Sequence, residues 1–310
     1  MNPPLVVIGG VTATGKTGLA IRLAEALCAA GRVAEVISAD SRQVYRGLDI
    51  ATAKATLAER DRVTHHGLDL VDPDEVFTVA AFNAHVGGVL ASLAERDGIA
   101  ILAGGTGFYL RSVMRGLDTG RLPSDAHVRS QVRVDLAADG LERTYQRLAT
   151  LAPTLAASVD RSNPRRVERA LEIALLQGDA ALPVPGSYPG RILAIGLTVE
   201  PDEHLRWVAR RTREQFETGL VEEARALREA WDPDLPAFSA IGYREAWSVV
   251  DGERTPAEAI EADIARTIAF AKRQRTWLRS EPAFEWIDAT RADPTPSASA
   301  AVRAFVATDR

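Results

Sequence analysis

The chain has 310 residues, a formal net charge of −5, 46% hydrophobic and 25% charged residues. That composition supplies a core and excludes a mainly disordered chain, and the length fits one large domain or two smaller ones. A single cysteine, Cys28, excludes a disulfide scaffold and a cysteine-rich zinc site; no apolar run approaches a membrane span, so a soluble, cytoplasmic protein is expected.

Residues 5–8 are a continuous apolar run that ends in Gly9-Gly10 and reads as a first strand, not a signal peptide. Residues 17–30 repeat apolar side chains at helical spacing through Leu19, Ala20, Leu23, Ala26 and Leu27. Residues 34–38 read as a second strand and 98–103 as a third, again followed by paired glycines, Gly104 and Gly105. Strands alternating with helices predict βαβ units and a parallel sheet. From 122 to 177 no strand pattern occurs; the segment reads as helices over 126–138, 140–148 and 164–176, with Asn163-Pro164 starting the last. Residues 178–190 form a Pro/Gly-rich connector. The chain then returns to a strand at 193–197 and two long helices at 204–230 and 256–279. Residues 288–299 are small, polar and Pro-bearing, and read as a loose tail with or without a short last helix. The expected organisation is an α/β core over 1–120 and 191–310, interrupted by a small all-helical insertion over 121–190.

The strongest motif is Gly10-Val11-Thr12-Ala13-Thr14-Gly15-Lys16-Thr17. It fits G-x-x-x-x-G-K-[ST] at every fixed position, between a strand and a helix, which makes the fold P-loop NTPase-like. Its glycines let backbone N–H groups turn toward phosphate oxygens, and the helix adds its positive end. Lys16 is expected to neutralise phosphate, and the Thr17 hydroxyl to hold Mg²⁺. Lysine occurs only at Lys16, Lys54 and Lys272; arginine supplies nearly all of the 37 basic residues. A triphosphatase usually has a second strand ending in a metal-binding acid. Here the 99–103 run ends in Gly-Gly-Thr-Gly, and the strand-end acid near the loop is Asp40. The loop therefore holds a phosphorylated ligand, while triphosphate hydrolysis is not clearly provided for.

Several segments together resemble a known family. They are GVTATGKT (10–17), SADSRQVYRGLDIATAK (38–54), HHGLDLVDP (65–73), LAGGTGFYLRSV (102–113), RRVERALE (165–172), SAIGYRE (239–245) and AKRQRTWLR (271–279). In order and spacing they resemble the bacterial tRNA dimethylallyltransferases, over about residues 5–280. The resemblance implies transfer of a dimethylallyl group from dimethylallyl diphosphate to N6 of the adenine next to the anticodon, position 37. The tRNAs would be those reading codons that begin with U. It also implies Mg²⁺, a P-loop fold with a helical insertion, and a monomer. Departures occur at Val11 (usually Pro), Ala51 (usually Gly), Ser239 (commonly Gln) and Ile268-Ala269 (commonly Arg-Gln). The loop glycines, Asp40, Thr106 and Tyr243 keep the pattern, so the departures bear on tRNA contact more than on activity.

The reaction requires a stabilised diphosphate leaving group, a base for N6 and alignment of donor and acceptor. Residues 10–17 are expected to grip the diphosphate, with Lys16 taking up charge as the C1–O bond breaks. Asp40 is the expected general base, following a strand at the carboxyl edge of the sheet; the alternatives are a metal ligand or a helix cap. Thr106, in the second glycine turn, is implied to bind diphosphate or orient the amine, against a purely structural turn. Arg211 resembles a family arginine that touches diphosphate, although Arg206, Arg210 and Arg213 are close by. Tyr45, Phe108 and Tyr109 read equally as walls of a prenyl slot or as core. His65 and His66 are read as ordering a loop or touching substrate.

The acidic balance weakens a nucleic-acid partner without removing it, because binding needs a basic face rather than a basic total. Ser41, Arg42 and Gln43 stand beside Asp40 and are expected to meet the extruded adenine or its neighbours; a glutamine amide can pair with an adenine edge. Basic stripes are expected on backbone phosphates: Arg161, Arg165, Arg166 and Arg169; Ser239, Gly242, Tyr243 and Arg244; and Lys272, Arg273, Gln274, Arg275 and Arg279 beside Trp277. Arg129 is a further family-matched contact. The alternative for any one stripe is a solvated helix face. Rival functions sharing the loop are a small-molecule P-loop kinase, a prenyltransferase of free adenine nucleotides, and a non-catalytic nucleotide-dependent tRNA-binding factor.

Overall fold

The computed structural model describes residues 2–117, 120, 122–182, 186–281 and 283–307. Residues 183–185 of the expected connector lie outside the described residues. In chain order, the first half of the core holds β1 (Leu5–Gly10), α1 (Lys16–Ala29), β2 (Ala34–Ser38), α2 (Leu57–Arg62), β3 (His65–His66), α3 (Val79–Glu95), β4 (Ile99–Gly104) and α4 (Gly107–Met114). The helices α5 (Ala126–Leu151), α6 (Pro153–Ala157) and α7 (Pro164–Gln177) follow. The second half holds β5 (Ile192–Thr198), α8 (Pro201–Glu217), α9 (Leu220–Ala230), α10 (Tyr243–Val250), α11 (Pro256–Arg279), β6 (Phe284–Asp288) and α12 (Thr295–Ala307).

The six strands form one parallel sheet in the order β3-β2-β4-β1-β5-β6. The central strands are buried on both faces, which explains their unbroken apolar runs. Alternate residues feed two cores. Leu5, Val7 and Leu102 pack with Phe82 and Leu93 of α3 on one face. Val6, Ile8 and Ile101 pack with Leu19, Leu23 and Leu27 of α1 on the other.

Contacts divide the chain into two units: Met1–Met114 with Tyr188–Arg310, and Arg115–Ser187. The sequence reading sets the bounds of the second at 121 and 190. Within that unit, α5 bends at Gly140 (φ 79°), between the two helices expected there. Val132, Leu148, Leu155 and Leu171 form its core, and Asn163 caps α7. Glu172 is buried and receives Arg129 (2.9 Å) and Arg169 (2.7 Å). Burial pushes its carboxyl up, but the bonds from both guanidinia and the Asp125 N–H outweigh this and hold it below the usual range.

One expectation is corrected and two gaps in the sequence reading are filled. The helix expected over 204–230 is two, because Gly219 takes φ 109° between them, a value that side chains resist. The tail, read as loose with or without a short last helix, does hold a helix: α12, whose Ala298, Val302 and Val306 pack it into the α1 face of the core. The edge strands β3 and β6 escape sequence detection because one has two residues and the other, FEWID, carries charges. No helix among the described residues is long and apolar enough to cross a membrane.

Replacing Val302 by Ala should lower the unfolding free energy by about 1–2.5 kcal/mol, through lost burial plus a small cavity. Urea titration of the full chain checks this; an unchanged midpoint would mean that α12 adds nothing to the core.

Candidate functional site

The pairing of β1 with β4 sets Gly9 opposite Gly104, so the two glycine-rich turns leave the sheet side by side. β4 also pairs with β2 up to Ser38 opposite Ala103, which brings the 39–43 segment alongside the second turn. A cleft of about 920 Å³ opens at this carboxyl edge. Its walls include Thr12–Gly18, Asp40, Gly104, Gly105 and Arg211. Ligands of open α/β sheets bind at this edge.

The first turn is tightly built. The Thr14 hydroxyl donates to the Val11 carbonyl at 2.8 Å, and Lys16 Nζ donates to the same oxygen at 2.7 Å. Gly15 (φ 78°) leads into α1, whose free N–H groups and dipole favour an anion. Burial lowers the Lys16 pKa most; Arg211 adds repulsion and Asp40 opposes it, leaving the lysine pushed down to about 8. Arg211 is itself lowered by burial, offset by Asp263 and Asp40, and its Nε is buried without a hydrogen-bond partner among the described residues. Asp263, held by Thr267 (3.0 Å) and Thr212 (3.4 Å), is pushed up to about 6, chiefly by burial. Lysine, arginine and aspartate thus converge on one space suited to an anion.

The second turn positions the acid. Thr106 N–H donates to the Ala39 carbonyl (3.1 Å), and its hydroxyl accepts from Ser41 N–H (3.0 Å). Asp40 Oδ1 accepts from Arg42 N–H at 2.8 Å. The segment bearing Asp40 is therefore tied to the β4 turn. Thr17 and Asp40 line the same cleft. The Thr17 hydroxyl is a hard-oxygen donor of the kind Mg²⁺ takes beside substrate phosphates, which leaves the Asp40 carboxylate available as a base.

Other sequence-derived candidates separate into exposed and committed groups. Arg161, Arg165, Arg166, Arg244, Lys272, Arg273 and Arg279 are exposed, and Arg275 is half-buried. Arg42 donates to the Pro236 carbonyl (2.9 Å), which the Ser239 hydroxyl also reaches (2.7 Å), so these two sit together. Gln43 is buried; it accepts from Ser38 Oγ (2.7 Å) and donates to the Thr52 (3.0 Å) and Ala53 (3.2 Å) carbonyls. Its amide braces the 52–54 segment and does not offer a free edge to adenine. Tyr243 is fully buried, its hydroxyl on Glu223 at 2.7 Å, and Gly242 N–H is taken by Glu245. Arg129 and Arg169 serve Glu172. Tyr109 stacks on Phe82 inside the core, Tyr45 is buried in another cluster, and Phe108 is exposed; none of the three lines the cleft. His66 meets Glu35 at 2.7 Å; His65 binds the Val63 carbonyl at 2.7 Å and lines the cleft.

Sequence reading misses His204 and groups Gln274 with the basic stripe expected on tRNA, whereas the structure sets its amide between the two glycine turns. Gln274 Oε1 accepts from Thr12 N–H (2.8 Å), and its Nε2 donates to the Gly105 carbonyl (2.9 Å). His204 Nε2 binds the Thr12 carbonyl at 2.9 Å. Both residues stand far from the loop in sequence, and no local pattern marks either. Lys54, one of three lysines, is a buried strut: its ammonium binds Asp49 and Asp69 at 2.6 Å each and the Tyr45 carbonyl at 2.8 Å.

Comparison with known proteins agrees with this layout. A model of the IPP transferase family matches residues 43–281, downstream of the phosphate loop. The tRNA dimethylallyltransferase of Thermosynechococcus vestitus is 40% identical over 294 residues, covering 92% of this chain and 90% of that protein. The solved tRNA isopentenylpyrophosphate transferase of Bacillus halodurans is 36% identical with a TM-score of 0.71, covering 98% of this chain and 96% of that one. The corresponding transferase of Staphylococcus epidermidis is 27% identical with a TM-score of 0.70, covering 99% and 100%.

An anion in the cleft favours charged Lys16. Below pH 8 the lysine is already charged; above it, binding must take up a proton. Affinity for inorganic diphosphate should then fall by up to about tenfold per pH unit toward the ordinary lysine value. For folding the sign reverses: above pH 8 the unfolded chain holds more protons, so stability gains from this group as pH rises. Isothermal titration checks the binding slope, which Lys16→Arg should abolish; a slope that Lys16→Arg leaves intact would exclude Lys16 as its source.

Proposed function

This chain belongs to the IPP transferase family and transfers a dimethylallyl group to tRNA, and we propose that its donor is dimethylallyl diphosphate bound in the 10–17 loop. The acceptor is N6 of the adenine next to the anticodon, position 37, in tRNAs that read codons beginning with U. The observation that carries this reading is the shared cleft. The phosphate loop, Lys16, Arg211 and Asp40 all line it.

In this reading the diphosphate lies against the loop N–H groups, Lys16 and Arg211. As N6 attacks C1, the C1–O bond breaks and its electron pair leaves with the diphosphate. Lys16 and Arg211 stabilise the charge that develops there. Asp40 takes the proton that N6 loses as the new C–N bond forms, which leaves a neutral secondary amine. Thr106 acts by holding the Ala39–Ser41 backbone, and so the carboxylate, in place. Mg²⁺ held by Thr17 with the diphosphate oxygens would further neutralise the leaving group. The adenine must leave its stack to reach this cleft.

The exposed cations are assigned to tRNA phosphates: Lys272, Arg273 and Arg279 on α11, Arg165 and Arg166 at the start of α7, and Arg244. Exposure and the lack of acids over 272–279 support this. Arg129, Arg169, Tyr243, Gln43 and Gln274 are not assigned to phosphates in this reading, because hydrogen bonds or ion pairs within the fold already engage them. The reading includes a monomer, and the tRNA acceptor fits a cytoplasmic enzyme.

Nucleoside mass spectrometry of tRNA incubated with enzyme, Mg²⁺ and dimethylallyl diphosphate should show N6-isopentenyladenosine, and mass spectrometry of ribonuclease fragments should place it at position 37. Asp40→Asn should lower the rate by about 10²–10⁴, the usual worth of a general base; wild-type turnover in that variant would remove Asp40 from the mechanism. For tRNA binding, Lys272→Ala with Arg273→Ala should reduce the log–log salt slope by about 0.7–0.9 per lost phosphate contact. An unchanged slope would place the tRNA elsewhere.

A further inference from the structure

Thr12 is held at both of its backbone groups by side chains from distant helices. Gln274 on α11 takes its N–H and His204 on α8 its carbonyl. Both side chains are buried, and neither lines the cleft. The carbonyl partner means that His204 Nε2 carries the hydrogen. The next residue, Ala13, has φ 62°, a left-handed conformation adopted here without glycine's freedom. Such backbone costs on the order of 1 kcal/mol and persists where the surroundings over-determine it. The two bonds to Thr12 supply that constraint immediately before the strained residue. Gln274 also reaches the Gly105 carbonyl, so one amide spans both glycine turns.

We infer that Gln274 and His204 are positioning residues: they hold the Thr12–Ala13 turn of the phosphate loop in its anion-receiving form, and Gln274 also sets its spacing from the turn that anchors Asp40. Neither touches the reacting atoms; both act through Thr12. The inference rests on the reading that this loop holds the donor diphosphate. It moves Gln274 from the tRNA surface, where its basic neighbours place it by sequence, to the donor side.

The test titrates inorganic diphosphate with Mg²⁺ into the full chain, and separately measures KM for dimethylallyl diphosphate and for tRNA. Gln274→Ala should weaken diphosphate and raise the donor KM by roughly tenfold, the cost of unpairing buried backbone groups, with the tRNA KM moving less than about twofold. Adding Ala13→Gly to that variant should recover part of the loss, because glycine takes the left-handed conformation without strain. Gln274→Glu keeps the length and the acceptor for Thr12 but loses the donor to Gly105; it should also bind diphosphate more weakly and serves if the alanine variant does not fold. His204→Ala should act in the same direction as Gln274→Ala. Wild-type diphosphate affinity in the folded Gln274 variants, or a loss confined to tRNA, would overturn the inference. Failure of the unmodified protein to bind diphosphate would instead overturn the donor-site reading, and the inference with it.

Discussion

The site depends on the insertion of β4 between β1 and β2. This parallel pairing puts two glycine turns in contact and carries the Asp40 segment to the phosphate loop. The approach is close: a Cβ on Gly104 would run into the Ala39 carbonyl. Thr106 then fastens the same backbone by hydrogen bonds. The sheet therefore decides the distance between anion and acid, and side chains such as Gln274 refine it.

Charge in the interior is arranged around that cleft. Arg211 faces Asp40 and Asp263, and Asp263 in turn is influenced by Glu245 and Arg266, which pair with each other. Desolvation lowers both Lys16 and Arg211 in the free protein. A polyanion relieves that penalty when it binds, so part of the binding energy comes from cations already assembled at a cost. The insertion uses the opposite balance. Two arginines close on buried Glu172, and removing one partner of such a group leaves an uncompensated charge. Arg129 on α5 and Arg169 on α7 turn toward Glu172, whereas Arg165 and Arg166, also on α7, are exposed to solvent.

Much of this was legible in residues. The strand–loop–helix context of the 10–17 motif marked the candidate phosphate loop. The second glycine pair marked the neighbouring turn, and Asp40 stood out as the strand-end acid. The strand-free 122–177 segment announced the helical insertion. Sequence says least about whether a polar residue in a functional-looking segment is already engaged inside the fold. Gln43 and Tyr243 are buried, while Arg129 and Arg169, each about a third exposed, are drawn to buried Glu172; neighbours in a helix or turn share a segment without sharing a side.

The sequence by itself therefore determined the central strands, the parallel sheet class, the helical insertion and the candidate phosphate loop, because apolar period, glycine placement and one lysine are local properties. Only the tertiary structure decided that Asp40 shares a cleft with the loop, that α12 completes the core, and that Gln274 and His204 hold Thr12. Those facts depend on strand order and helix packing across 192 to 262 residues of chain, a separation over which side-chain partners leave no periodic trace.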